Sequence, residues 1–493
     1  MRNILSLPLL TCLLCVSAES KLILNPLIGD NAVLQRQAPI KVWGESDPGA
    51  KINAEFAGED LTATADADGH WVIEFPAKDA GGPYTLTVRS GEETQIVDKL
   101  LVGDVWVCTG QSNMYWPVNR TTDYEAKVKN AANENLRLFT VKRAAADEPQ
   151  DSVQGAWLPC NPYTVGGFSA VGYFFGEALQ PKADIPIGLI MSTVGGTLAN
   201  NWTSREVLEA NPASESYFER YERERAEYPD LMKAYKEAVK TNPDAEKPRD
   251  PTKRQPTGYY NAMLAPLFQY PVAGVIWYQG ESDSWKHWDY DRFLRDLIAD
   301  WRAGWDEPDM PFIIVQLAGF EGKKGVDENY PEIREIQRRV SQEGNNGLAL
   351  AIDVGEADDI HPRNKQPVGE RLSRVALAKV YGQDIPYHGP EPRRVTADGG
   401  KVIVEFGTGA GQLVDKDGGD LPGFEVAGAD GNFHVGQARL SGNTVVISSP
   451  DVDQATAVRY AWTGFPKVDL YNEAGLPATP FKESINAQQN ETL

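Results

Sequence analysis

Residues 104–114, DVWVCTGQSNM, decide the fold, because an apolar run ends there in a glycine and a short polar segment. The apolar part, residues 104–108, is predicted as a buried strand, and Gly110 lets the chain turn sharply ahead of Ser112. A helix that begins just beyond the serine would aim its first N–H groups at a developing oxyanion. Alone the motif is weak evidence for catalysis, because serine is also a common N-cap and the second glycine of a Gly-x-Ser-x-Gly elbow is missing.

Further apolar runs alternate with amphipathic segments along the next 270 or so residues of the chain. The additional predicted strands cover residues 136–141, 187–191, 272–278, 312–317 and 348–352. Helical spacing of apolar residues follows the fourth and the sixth strand of the full set. This alternation predicts an α/β fold with a mostly parallel, doubly wound sheet. In such sheets ligands bind beyond the carboxyl ends of the strands, so the segments after each strand hold the candidate site residues.

The segments before and after this α/β part have a different sequence pattern. A chain of 493 residues also exceeds the size of one ordinary hydrophobic core, so more than one domain is expected. Short alternating strands separated by turn residues predict a β-sandwich-like domain over residues 19–100 and a β-rich C-terminal domain over 386–493. The α/β domain then covers residues 101–385. Within it, residues from about 205 to 255 are charged and helical in composition, which indicates a surface insertion.

The first 18 residues have the pattern of a cleaved signal peptide: a basic start, a short apolar stretch, and small residues near Ala18. The apolar stretch is too short and too interrupted for a membrane anchor, and no later stretch is long and apolar enough to span a bilayer. We therefore expect a protein that is secreted or periplasmic.

Charge and cysteine content exclude several classes of function. The formal net charge of −22 disfavours binding to nucleic acid or to anionic lipid surfaces. Beyond the signal peptide only Cys108 and Cys160 remain, either as one disulfide bridge or as two buried thiols. Two cysteines and five scattered histidines do not supply zinc-ligand spacing, so no metal site is expected.

Polar motifs also follow the third and fourth strands. Residues 192–197, STVGGT, contain paired glycines whose backbone N–H groups can approach a ligand closely. In residues 277–283, WYQGESD, Gln279 could donate to an oxyanion and Glu281 could orient a base. The alternative for both motifs is structural, a tight turn in one and loop caps in the other.

The segment after the sixth strand, residues 358–363, reads DDIHPR. A carboxylate at Asp358 can accept the Nδ1–H of His361 across the turn and leave Nε2 free to take a proton from a serine. A solvated loop histidine or a helix cap is the alternative. Because four polar motifs follow strands of one predicted sheet, their side chains are expected to converge.

At this point the sequence resembles the sialate O-acetylesterase family of SGNH-type hydrolases over most of its length. The segments that carry the resemblance are NAVLQR at 31–36, GQSNM at 110–114, FSAVGYFF at 168–175, NAMLAPL at 261–267, residues 274–283, IHPR at 360–363, and DLYNEAGLP at 469–477.

The resemblance implies a flavodoxin-like SGNH hydrolase domain with a serine esterase activity. It places Ser112 as the nucleophile and His361 as the base, and it places Gly196 and Gln279 at the oxyanion hole together with the Ser112 amide. Gln111, next to the nucleophile, belongs with the oxyanion and substrate-binding candidates. No metal or organic cofactor is implied.

The third member of a catalytic triad stays open between Asp358, Asp359 and Glu281. SGNH enzymes generally use the carboxylate of Asp-x-x-His, which corresponds to Asp358 here. Members of this family can also work with a weakly supported serine–histidine dyad.

The implied substrate is an acetylated carbohydrate, with 9-O-acetylated sialic acid foremost and acetylated plant or algal polysaccharides as the alternative. Arg363 and Lys365 form a local basic cluster that could meet the carboxylate of a sialic acid. Four tryptophans near the motifs could stack on sugar rings: Trp116, Trp202, Trp285 and Trp288. A non-catalytic carbohydrate-binding protein and a glycosidase with paired carboxylates remain as alternatives. The sequence predicts no oligomeric state.

Overall fold

The protein has a mixed α/β fold in which a central sheet is accompanied by β-rich segments before and after it. The computed structural model describes residues 21–322 and 329–485, so the predicted signal peptide lies outside the described residues.

Among the described residues the N-terminal and central strands are β1 (Ile23–Leu24), β2 (Val33–Gln35), β3 (Ile40–Glu45), β4 (Lys51–Phe56), β5 (Glu59–Thr64), β6 (His70–Phe75), β7 (Gly81–Ser90), β8 (Glu93–Gly110), β9 (Asn133–Thr140), β10 (Trp157–Cys160), β11 (Ile187–Thr193), β12 (Gly274–Tyr278), β13 (Phe312–Gln316) and β14 (Asn346–Leu350). The later strands are β15 (Glu391–Asp398), β16 (Lys401–Gly407), β17 (Leu413–Asp415), β18 (Phe424–Ala427), β19 (Phe433–Val435), β20 (Gln437–Ser441), β21 (Thr444–Ser448), β22 (Ala457–Tyr460), β23 (Leu470–Asn472) and β24 (Phe481–Ser484). The α-helices are α1 (Ser112–Tyr115), α2 (Tyr124–Val128), α3 (Ala170–Ala183), α4 (Arg205–Glu209), α5 (Glu215–Ala238), α6 (His287–Gly304), α7 (Tyr330–Ser341) and α8 (Gln366–Lys379).

The central sheet has the strand order β10-β9-β11-β8-β12-β13-β14. All neighbours in it are parallel except β10, which pairs antiparallel with β9 at the edge. Numbered along the chain, the six parallel strands from β9 to β14 follow the order 2-3-1-4-5-6. The chain leaves β8 for β9 and β11 on one side and later crosses to β12 on the other, which makes the end of β8 the switch point where ligands bind in such sheets.

Strand β8 joins the N-terminal sheets to the central sheet without a break. Its first part pairs with β7, and residues 101–103 pair with β2. From Asp104 onward the same strand pairs with β11 and β12. The predicted domain boundary near residue 100 thus falls inside one continuous strand, and the domain boundaries stay a prediction.

The described residues form two hydrophobic cores. One extends from the N-terminal sheets through the central sheet, from Leu22 to Leu377. The other lies mainly among the C-terminal strands and reaches the central sheet through Leu350 and Ile352. Every residue of β11 is buried, as expected for a parallel strand that is covered on both faces.

The helices pack in pairs next to the sheet. Helix α3 contacts α8, and α6 contacts α7. On the predicted insertion, α5 is anchored near its start, where Tyr217 meets Phe293 of α6 edge to face with the ring centroids 5.4 Å apart. Most of the remaining α5 side chains are exposed or half-buried.

Cys108 and Cys160 are both buried free thiols and form no bridge. Burial raises the pKa of the Cys160 thiol to about 12 and that of Cys108 still further. Within the described part of the chain, no helix is long and apolar enough to cross a membrane.

Candidate active site

Ser112 and His361 meet at the carboxyl edge of the central sheet. Ser112 begins α1 directly after β8, and its Oγ lies 2.8 Å from Nε2 of His361. His361 is on the loop between β14 and α8. The two residues are 249 positions apart in sequence, and the topology of the sheet brings them within hydrogen-bond distance.

The turn that presents Ser112 depends on Gly110. This glycine has a φ of +131°, which L side chains rarely adopt, and a Cβ atom there would collide with the carbonyl oxygen of Tyr278. The next amide, from Gln111, donates to the same carbonyl at 3.0 Å. The end of strand β12 therefore fixes the turn through the Tyr278 carbonyl, and Ser112 stands at the carboxyl edge of the sheet.

Backbone N–H groups next to Ser112 are available for an oxyanion. Gly195 is so close that a Cβ on it would lie 3.3 Å from the Ser112 Cβ. Within residues 21–322 and 329–485, the N–H groups of Ser112, Gly195 and Gly196 donate to no carbonyl or side chain. Gly196, the predicted contributor, is exposed with a φ of +78°, and Gly195 is the nearer of the two.

Gln279 does not have the free donor that its predicted oxyanion role requires. Its buried Nε2 donates to the Thr197 carbonyl at 3.0 Å and to Asp283 Oδ2. Asp283 also accepts from the Ala199 amide at 3.1 Å, and burial raises the pKa of this carboxyl to about 7. The pair thus supports the loop that carries Gly195, a role for Asp283 that the motif at 277–283 did not predict.

The carboxylate beside His361 belongs to Asp359, and not to Asp358 as the Asp-x-x-His spacing predicted. Asp359 Oδ1 accepts from the backbone N–H of His361 at 2.9 Å and lies 3.7 Å from Nδ1. That backbone hydrogen bond forms an Asx-turn, which swings the Asp359 side chain towards the ring. Asp358 is exposed and does not pair with the imidazole.

Glu281, the other predicted candidate, has a different partner. Its Oε1 accepts from Nδ2 of Asn113, the residue after Ser112. Asn113 Oδ1 in turn accepts from Nζ of Lys365. Lys365 is completely buried, so it cannot form the exposed basic cluster that the sequence predicted with Arg363. Arg363 itself is exposed.

Gln111 is buried and supports the loop after β12. Its side-chain Oε1 accepts from the amide of Ser282 at 3.2 Å. This contact ties the segment that carries Ser112 to the loop after β12.

The four tryptophans divide into different environments. Trp116 stacks on the ring of His361, and Trp202 is fully buried, with its Nε1 donating to Thr197 Oγ1 at 3.0 Å. Trp285 and Trp288 are exposed, by 42% and 63%. The Trp285 ring also contacts the cations of Arg220 and Lys286.

The local electrostatics favour a neutral imidazole at His361. Burial is the largest cause that lowers its pKa, the cationic Lys365 lowers it further, and Asp359 opposes both. A neutral ring with its proton on Nδ1 leaves Nε2 free to accept the Ser112 proton. No cluster of His, Cys, Asp or Glu suited to a metal ion occurs among the described residues.

The fold and the site together define the class of protein, a carboxylic ester hydrolase, and comparison with known proteins agrees. The chain is 36% identical to a carbohydrate acetylesterase from Xanthomonas citri, whose solved structure matches it with a TM-score of 0.82 over 94% of this chain and 99% of that one. It is 28% identical to sialate O-acetylesterase of Mus musculus, over 93% of both chains. It is 29% identical to the Homo sapiens enzyme of that name, over 94% of this chain and 92% of the relative.

The family is shown by a match to more than half of the chain. Residues 102–247 and 251–378 match the family described as carbohydrate esterase, sialic acid-specific acetylesterase, and the protein belongs to that family. The resemblance stated from the sequence motifs is confirmed.

Proposed function

We propose that the protein is a serine esterase that releases acetate from O-acetylated sugars, with Ser112 as nucleophile and His361 as base. Hydrolysis of acetyl esters of sugars agrees with the family and with the relatives. The observation that carries the catalytic assignment is the 2.8 Å contact between Ser112 Oγ and His361 Nε2 at the switch point of the sheet.

In the proposed reaction, His361 Nε2 takes the hydroxyl proton as Ser112 Oγ bonds to the acetyl carbonyl carbon. The tetrahedral oxyanion receives hydrogen bonds from the amides of Ser112, Gly195 and Gly196. Collapse of this intermediate breaks the bond to the sugar oxygen, which takes the proton from His361. Water then attacks the acetyl-enzyme while His361 takes a proton from it. The bond from the acetyl carbon to Ser112 Oγ breaks, Oγ takes the proton from His361, and acetate leaves.

Asp359 does not complete a conventional catalytic triad. At 3.7 Å, Asp359 is too far from Nδ1 for a hydrogen bond, although its charge still favours the imidazolium that forms during attack. We infer a serine–histidine dyad with electrostatic help from Asp359, and neither Asp358 nor Glu281 as the orienting acid.

We propose sialic acid with O-acetyl groups as the first substrate class to test, because the family and the curated relatives carry that name. The exposed Arg363 lies two residues after His361 and supplies a cation for a sugar carboxylate. Acetylated neutral polysaccharides are the second class, supported by the relative from Xanthomonas citri and by the exposed rings of Trp285 and Trp288.

We further propose that the central domain is an SGNH-type, flavodoxin-like hydrolase domain and that the protein is exported. The parallel strands β9 and β11 on one side of β8, with β12 to β14 on the other, support the first point. The sequence pattern of residues 1–18 supports the second.

The test is acetate release from p-nitrophenyl acetate, acetylated sialic acids, acetylated xylan and acetylated pectin, by the native protein and by Ser112→Ala. We expect the variant to retain its circular dichroism spectrum and to lose activity by at least about 10³-fold. Full activity of the folded variant would overturn the mechanism. A folded native protein that releases no acetate from any ester would favour a carbohydrate-binding role instead.

A further inference from the structure

A fully buried lysine lies beneath the serine–histidine pair. Lys365 immediately precedes α8, its side chain has no solvent exposure, and its Nζ lies 5.5 Å from the ring centroid of Tyr278. An ammonium group in such a place is costly unless other groups satisfy it. Its Nζ donates to Oδ1 of Asn113.

Asn113 connects this lysine to both sides of the site. Its Nδ2 donates to Glu281 Oε1 and, at 3.0 Å, to the carbonyl of Ile360. Asn113 follows Ser112 in the chain, and Ile360 precedes His361. One amide side chain therefore ties the segment of the nucleophile to the segment of the base, and Lys365 and Glu281 hold that amide in its orientation.

We propose that Lys365, Asn113 and Glu281 form a positioning network that sets the Ser112–His361 distance and holds a buried lysine close to the base. This proposal rests on the proposed function, because it assigns a role to groups that act through Ser112 and His361. The network would supply part of the orientation that a hydrogen-bonded carboxylate supplies in a triad, which suits a site where Asp359 stands 3.7 Å from Nδ1.

The charges around Lys365 agree with this role. Burial lowers the pKa of Lys365 to about 7, while three carboxylates facing it, Glu281, Asp359 and Glu356, oppose that effect. Below pH 7 the lysine is therefore mainly cationic. A cation near the imidazole disfavours the imidazolium and lowers the pKa of His361.

Lys365→Met tests the proposal, because it keeps the length of the side chain and removes its charge and its hydrogen bond. Without the cation the pKa of His361 rises, so the acid limb of the pH profile of kcat/KM moves to higher pH. We expect a shift of about 0.5 to 1 unit and a fall in plateau kcat of about tenfold with KM within about twofold.

Lys379→Met is the matched control. Lys379 is a half-buried lysine at the other end of the same helix, where its Nζ donates to the Asn346 carbonyl. We expect this variant to leave the acid limb and the KM unchanged. If Lys379→Met moved the acid limb as far as Lys365→Met, the effect would come from the helix and the proposal would fail.

Glu281→Gln provides a second test of the same shift in the pH profile if Lys365→Met fails to fold. Loss of this anion lowers the pKa of Lys365 further, so less of the cation remains and the acid limb again moves to higher pH. A purely direct effect of the lost negative charge on His361 would move the limb to lower pH. An acid limb that stays in place or moves down in the folded variants overturns the proposal.

Ser112→Ala in the same assay distinguishes a failure of the serine mechanism from a failure of the positioning network. Activity that persists in Ser112→Ala refutes the serine mechanism itself. Activity that is lost in Ser112→Ala while the acid limb of Lys365→Met stays in place refutes only the network.

Discussion

The indole ring of Trp116 lies flat against the imidazole of His361, with the ring centroids 5.1 Å apart and an angle of 14° between the planes. The indole is fixed in turn, because its Nε1 donates to the carbonyl of Arg120 at 3.2 Å. One face of the His361 imidazole is therefore covered by a ring from the segment that carries Ser112. We interpret Trp116 as a support that keeps the imidazole from rotating away from Ser112.

Replacement of Trp116 by leucine is expected to lower kcat by about tenfold, because the imidazole gains rotational freedom that must be lost in each turnover. Trp116→Phe keeps an aromatic face and should retain most of the activity. Steady-state kinetics with p-nitrophenyl acetate measure both variants. A Trp116→Leu protein with native kcat would show that the stacking has no role in orientation.

The two neighbouring aspartates are expected to differ in their effect on activity. Asp359→Asn removes the charge next to His361 and should lower kcat by about tenfold, well short of the roughly 10⁴-fold loss when a true triad aspartate is replaced. Asp358→Asn, the matched control, should change kcat by less than about twofold because that side chain is exposed. The kcat values of the two variants test this order, and a larger loss in Asp358→Asn would contradict the observed geometry.

A buried arginine is expected to be important for stability. Arg334 on α7 is fully buried and donates to four carbonyl groups, those of Leu317, Ala318, Thr463 and Gly464. Burial lowers its pKa to about 9. The residue thereby joins the loop after β13 to the loop after β22.

Arg334→Met would leave these carbonyl groups without their donor and should destabilise the protein by at least about 3 kcal/mol. The control is Arg339→Met on the same helix, whose side chain is 50% exposed and pairs with Asp291 at 3.1 Å. That variant should lose less than about 1 kcal/mol. Thermal unfolding followed by circular dichroism compares the two, and equal melting temperatures would refute the assignment.

The sheet was predictable because its strands are buried on both faces and therefore form continuous apolar runs. All six predicted strands of the α/β part are present, and apart from β8 their ends differ from the prediction by at most three residues. For strand β8 only the apolar end from residue 104 was predicted. Residues 93–99 carry mostly exposed, polar side chains and resemble a separate hairpin strand.

The convergence of Ser112 and His361 was predictable from their positions after strands of one sheet. The choice between Asp358 and Asp359 was not, because it depends on which side chain caps the His361 amide. The roles of Gln279 and Lys365 depend on burial and on partners distant in sequence. A glutamine and a lysine in polar loops show neither property in the sequence alone.

The most direct test of the central claim is to locate the adduct that a fluorophosphonate forms with the native protein. Peptide mass spectrometry should find one adduct on Ser112, acetate release should fall in proportion to labelling, and Ser112→Ala should remain unlabelled. Slower labelling of His361→Ala should follow, because the serine then lacks its base. Full esterase activity after complete labelling of Ser112, or an inactivating adduct on another residue, would contradict the account.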